Sequence, residues 1–119
     1  MKSLQARVRT LLDETGLPVT YGWPALWNRF PCAAWYESGS RALAQADGRE
    51  YLTELNYTVD IWADAPAELA EAAQEIDARL GGAGLRRVSS LDLYEDGPRL
   101  FRRSMRYRAV VDVDGGVWQ

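Results

Sequence analysis

The chain has 119 residues, 47% of them hydrophobic and 26% charged, the ordinary composition of one globular domain that buries roughly two thirds of its unfolded surface. Its net charge is −3 and its pI near 4.9, so the molecule as a whole is not built to coat nucleic acid. No run approaches the ~18 apolar residues of a membrane span, and Met1-Lys-Ser-Leu-Gln-Ala-Arg-Val-Arg9 lacks the apolar stretch of a secretory signal, so the protein is expected to stay where it is made, with no membrane partner. Histidine is absent, which removes the commonest general base, the usual catalytic triads and most zinc sites. The single cysteine, Cys32, can form no internal disulfide and reads as a small buried apolar residue.

The first element is an amphipathic helix over about 3–15. Ser3 stands at its N-cap, Leu4, Val8, Leu11 and Leu12 follow at helical spacing, and Gly16 and Pro18 close it. A short edge strand is possible near 19–21, after which Gly22 and Pro24 favour a loop. Residues 31–37, with Cys32, Trp35 and Tyr36, are expected to form a strand. The segment 38–50 is small and polar and carries the turn signal Asp47-Gly48; it reads as a flexible arm or loop that a partner would order.

Residues 51–63 alternate. Tyr51, Thr53, Leu55, Tyr57, Val59 and Ile61 share one face, and Glu54, Asn56, Thr58, Asp60 and Trp62 share the other, the signature of a long strand with one face on a core. Asp64 or Ala65 caps a helix with Pro66 in its first turn. Leu69, Ala72, Ala73, Ile76 and Leu80 form the buried stripe of that helix, and Gly81-Gly82 ends it. A strand over 85–94 and a turn at Glu95-Asp-Gly-Pro98 lead to a last strand over about 99–112. There Phe101, Met105, Tyr107, Ala109 and Val111 face the core with Arg103 as a misfit, while Arg102, Ser104, Arg106, Arg108 and Asp112 face outward. The expected class is α+β in the order α-β-β-α-β-β: one domain with a mostly antiparallel sheet of about four strands and two helices packed on one face.

Three runs resemble chemical motifs and fail as such. Asp112-Val-Asp-Gly-Gly116 begins like a calcium loop but lacks the sixth-position glycine and closing glutamate, and reads as a strand end and turn. Gly81-Gly-Ala-Gly84 follows a helix, where a phosphate-cradling loop would precede one. Asp92, Glu95 and Asp96 fit a wet turn better than an acid/base pair. No catalytic, metal or cofactor site is expected.

Charge is unevenly spread. Nine acids against Arg49 lie between Asp47 and Asp77, and seven arginines against three acids lie between Arg86 and Arg108. Such a chain is suited to head-to-tail contact between copies, or to pairing of its two halves internally. Arg102, Arg106 and Arg108 are the sharpest candidates for function, since their guanidinium groups suit carboxylates or phosphates equally. They could pair with Glu54 and Asp60 across the sheet, meet a neighbouring subunit, or meet passing nucleic acid. Trp62 and Trp118 stand where the pattern leaves aromatics exposed, as interfaces often do.

Ala46-Asp-Gly-Arg-Glu50, Tyr57-Thr-Val-Asp-Ile-Trp62 and Ile76-Asp-Ala-Arg-Leu80, continued by Gly84-Leu-Arg-Arg87, Asp92-Leu-Tyr-Glu-Asp96 and Met105-Arg-Tyr-Arg108, together resemble the tail terminator (tail completion) proteins of long-tailed bacteriophages. The resemblance covers roughly residues 31–112. It implies a non-enzymatic α+β virion protein at the head-proximal end of the tail, assembled in the host cytoplasm. Copies would form a ring, usually hexameric, that stops growth of the tail tube and joins the head–tail connector protein, with DNA passing through its bore. Carried onto this chain, Asp60, Trp62, Arg102, Arg106 and Arg108 become the candidate subunit or lumen surface. Arg41, Asp47 and Arg49 become the candidate docking loop for the tail tube protein or the neck. The competing readings are another neck component, a small regulatory binder, and an enzyme or ligand-binding domain holding an anion on the arginine face.

Overall fold

The computed structural model describes residues 3–23, 29–95 and 100–118. Its elements are α1 (Gln5–Asp13), β1 (Val19–Tyr21), β2 (Cys32–Ala46), β3 (Arg49–Ala63), α2 (Pro66–Gly82), β4 (Arg86–Glu95), β5 (Leu100–Asp112) and β6 (Val117–Trp118). They form one sheet in the order β1-β2-β3-β5-β4, with β6 also on β5. Only β1 is parallel to its neighbour. The α+β class and the two helices on one face stand as expected. The strand number does not: two short strands join the four long ones. Three-residue β1 and two-residue β6 are held by ladder bonds to longer neighbours rather than by any apolar run of their own. The turn expected at 95–98 falls largely outside the described residues.

The alternation of β3 fixes the core. Leu55, Tyr57, Val59 and Ile61 are fully buried, as are Met105 and Val111 on the neighbouring β5, with Tyr107 nearly so. Over them lie Leu69, Ala72, Ala73, Ile76 and Leu80 of α2 and Val8 and Leu12 of α1. Two tyrosines tie this layer together. The Tyr57 hydroxyl donates to Glu37 (2.8 Å) and accepts from the Leu4 amide (3.0 Å) at the start of α1, while Tyr107 donates to Asp77 of α2 (2.9 Å). The misfit Arg103 is answered within the sheet by a bidentate pair to Asp92 on β4, at 2.6 and 3.1 Å. Asp92 therefore lies on a strand rather than in a turn. Ser3 accepts from the Gln5 amide (3.2 Å), satisfying one of the unpaired amides of α1.

The expectation of a loop over 38–50 is overturned. These residues are the distal half of β2 and the start of β3, joined by a two-residue turn in which Asp47 (φ +52°) and Gly48 (φ +75°) both take left-handed conformations. That pair is the type I′ chemistry whose twist matches a hairpin. The ladder continues from Cys32↔Trp62 to Ala46↔Arg49, with register shifts at 37–39 and 42–45. Small and polar residues therefore form strand because β3 offers a complete row of partners. The hairpin helps draw the molecule out to 54 × 25 × 23 Å.

Helix α2 starts with Pro66 at its first position and ends at Gly82, within the Gly81-Gly82 pair expected to close it. Gly84 (φ +94°) donates to the Gly81 carbonyl (3.0 Å), and Leu85 to that of Leu80 (3.0 Å), a Schellman closure. A Cβ on Gly84 would stand 2.8 Å from Val117 Cγ1. Gly84→Ala should therefore cost about 2 kcal/mol, from the left-handed backbone and the crowding of β6 together. Urea unfolding at unchanged m-value checks this, and a loss under about 0.5 kcal/mol would contradict it.

Candidate interaction surface on the outer sheet face

The face of the sheet away from the helices is built by the even-numbered positions of β3 and β5. The cross-strand register places Trp62 beside Arg102, Asp60 beside Ser104, Thr58 beside Arg106 and Asn56 beside Arg108. The expectation of an exposed, charge-patterned face holds only in part. Trp62 is 1% exposed, Thr58 4%, Asp60 6% and Glu54 9%. The central strand is thus buried on both sides.

Trp62, expected at an interface, is instead the centre of a second small core with Cys32, Ala34 and Phe30. Cys32 and Ala34 lie on the facing strand and are small enough to leave room for the indole. Burial raises the Cys32 thiol above its ordinary pKa, consistent with a packing role. Trp23 meets Trp62 edge to face at 5.6 Å, and the Arg102 guanidinium lies 5.2 Å from the Trp62 ring and 5.9 Å from that of Trp23. The same arginine reaches Asp60 Oδ2 at 3.3 Å. Three of the five candidate residues, Asp60, Trp62 and Arg102, are thereby brought into one cluster, whose work is to hold the chain after β1 against the sheet.

Arg108 belongs to a second cluster nearer the hairpin. Glu54 Oε2 takes Arg41 Nη2 at 2.8 Å and Arg108 Nε at 3.4 Å, and Asn56 donates to Oε1 at 3.1 Å. The hydrogen bond from Arg41 is the chief cause holding the Glu54 carboxyl below its usual pKa, assisted by Asn56 and opposed by burial. Arg41 is therefore fixed at the root of the hairpin. Of the other two candidate docking residues, Asp47 lies in its turn and Arg49 directly after it, where the Arg49 guanidinium lies 6.0 Å from the Tyr51 ring.

Arg106 stands apart. It is exposed, and no carboxylate among the described residues forms an ion pair with it. Beside it Ser38, Gly39, Asn56, Thr58 and Val88 line a shallow depression of about 420 Å³. On its far side β4 is an edge strand whose Val88, Leu91 and Leu93 are 51%, 59% and 37% exposed. Sequence pattern alone gives the strand over 85–94 no clear face. The register supplies one, since Leu91 pairs with Ser104 and Leu93 with Arg102 on the outer side, and a shift at Arg87/Ser89 displaces Val88. The Asp112 run is a capped turn. Its carboxylate accepts from the Asp114 and Gly116 amides and from the Trp118 indole (2.9 Å), with Trp118 itself 54% exposed.

Removing Arg102 would leave Asp60 buried with its Oδ1 already lacking a donor among the described residues. Arg102→Ala should cost about 3 kcal/mol in denaturant unfolding, and Asp60→Asn with Arg102→Met should recover part of it. A cost below about 1 kcal/mol would show the pair to be solvated. Glu54 gives a pH signature. Its pKa is depressed in the folded state, so its contribution is full above the unfolded value of about 4.3 and is lost as pH falls through the folded value. Between pH 5 and 3 the melting temperature of the natural chain should drop more than that of Glu54→Gln; parallel curves would contradict this.

The model of the family described as tail completion protein gp17 matches residues 3–112. No curated protein matches the chain. Among solved structures, a chain of the virion of a native gene transfer agent (GTA) particle superposes with a TM-score of 0.69 at 17% identity, over 92% of this chain and 95% of that one. At that identity the likeness speaks to the fold. The match over 3–112 spans the Trp62 cluster, the Glu54 cluster and Arg106 alike. This chain belongs to the tail completion protein gp17 family, and it is a structural protein of the phage tail, not an enzyme.

Proposed function

We propose that the chain is a tail terminator. Copies close into a ring, hexameric by the family resemblance, on the finished end of the tail tube. The ring stops tube growth, presents a surface to the head–tail connector and lets DNA pass through its bore. The protein then works at the head-proximal end of the tail, after assembly in the host cytoplasm.

The observation that carries this reading is the hairpin of β2 and β3. It outruns the strands beside it: β5 leaves β3 at Leu52, and β1 covers β2 only as far as Trp35. From Tyr36 onward the outer edge of β2 faces no strand among the described residues, and Tyr36, Leu43 and Tyr51 are each about two-fifths exposed (39%, 40% and 38%). An open strand edge with exposed apolar residues is what a protein avoids unless another chain covers it. A hairpin of this kind suits a part fitted between other components. Its tip, with Asp47 and Arg49, becomes the docking point for the tube or the connector, and the Arg41–Glu54 pair anchors its root.

Shortening the hairpin tests the reading. Removing Ala44, Gln45, Glu50 and Tyr51 takes two residues from each strand, so the alternation and the Asp47-Gly48 turn are kept. The variant should fold with an unchanged unfolding midpoint yet fail to cap tubes, giving overlong tails and heads without tails. Tails of normal length joined to heads would contradict the docking role, and loss of the fold would make the hairpin part of the core.

A further inference from the structure

We infer that the outer face of β4 and β5 is a socket for the acidic face of α2 from the next copy of the chain. This deepens the ring reading and rests on it, by naming the two surfaces that would meet.

The outer face is left positive. Asp60 is matched by Arg102, and Glu54 is shared by both Arg41 and Arg108. Among the described residues that leaves one of the latter pair uncompensated, together with Arg106 and Arg86, which stands next to Arg108 in the register. Beside these charges lie exposed Val88, Leu91 and Leu93 and the depression next to Arg106. The patch is therefore apolar and basic at once.

The complementary surface is on the same molecule, facing the other way. Helix α2 packs on the core side of the sheet through Leu69, Ile76 and Leu80, so its solvent side looks away from the outer face. That solvent side carries Glu68, Glu71 and Glu75, exposed, at helical spacing. Of these only Glu75 has a cation among the described residues, Arg79 at 2.7 Å. Partial desolvation and the nearby carboxylates of Asp64 and Glu71 raise the Glu68 pKa, so the strip is crowded with acid and gains from a cation. Small Ala67 and Ala78 are exposed along the same helix and allow a sheet to come close.

The spacings agree. Residues three or four apart on a helix lie ~6 Å apart, and Glu68 and Glu75 are separated by ~10 Å of rise. Arg86 and Arg106 sit on adjacent strands two positions apart in register, ~8 Å by strand geometry. Unlike surfaces on opposite sides of one sheet make a heterologous contact, which repeats around a circle and cannot close a two-fold dimer.

Charge reversal tests this with wild-type chain, tail tubes and two variants, followed by light scattering and by occupancy of tube ends. Arg86→Glu with Arg106→Glu makes both surfaces acidic, and Glu68→Arg with Glu71→Arg makes both basic. All these side chains are exposed, so each variant should keep the circular dichroism and melting temperature of the natural chain. Each alone should lose at least tenfold in assembly. An equimolar mixture should regain it, since every outer face then meets an α2 of opposite charge. Assembly of either variant as readily as the natural chain would overturn the socket while leaving the ring. So would a loss not recovered in the mixture, as expected if the arginines face DNA in the bore. Failure of the natural chain to assemble even on tubes would overturn the ring and the socket together.

Discussion

Everything in the molecule hangs on β3, a strand paired along nearly its whole length on both edges and covered on both faces. Its odd-numbered residues, Leu55 to Ile61, form the floor on which α1 and α2 lie. On the other face Glu54, Thr58, Asp60 and Trp62, which a two-layer fold would leave wet, are buried too. A strand in that position accepts polar residues only where each has a partner, because an unpaired buried carboxylate costs several kcal/mol. Glu54 and Asp60 are therefore bound to their arginines by necessity. The basic β5 exists in large part to neutralise the acidic β3.

That neutralisation shapes what remains for function. Arg102 and Arg108, which look in sequence like half of a functional stripe, are spent on holding the sheet together. Arg106 has a serine and a threonine across its two ladders and keeps its charge available. On the other layer α2 needs only one apolar stripe, so the rest of its surface collects glutamates at little cost. A molecule with a basic apolar sheet on one side and an acidic helix on the other follows from the same patterning that makes it fold.

Much of this was legible in the chain. The alternation over 51–63 placed β3 and its two faces, and the stripe Leu69, Ala72, Ala73, Ile76 and Leu80 placed α2, because both periods are long and unbroken. The order of these elements also carried the family resemblance. The hairpin arm is hard to read from sequence because Ser38-Gly-Ser-Arg-Ala-Leu-Ala-Gln-Ala46 has little strand propensity; it forms strand by pairing with β3, and three register shifts blur its alternation. The turn itself was visible in Asp47-Gly48. Trp62 was assigned to the correct face but to the wrong environment, since Trp23 and Phe30 arrive from elsewhere in the chain to cover it. The small residues Cys32 and Ala34, two apart on the strand before, were the available hint of a hole opposite. The exposed apolar edge of β4 went unrecognised because the register shift at Arg87/Ser89, which decides where Val88, Leu91 and Leu93 point, leaves no mark in composition.

The most direct measurement is the mass and position of the chain on finished tail tubes, by light scattering with electron microscopy of the same sample. The terminator account predicts a single closed oligomer seated at one end of each tube, after which added tube subunits no longer lengthen it. Chains that remain monomeric beside tubes that keep growing would contradict it.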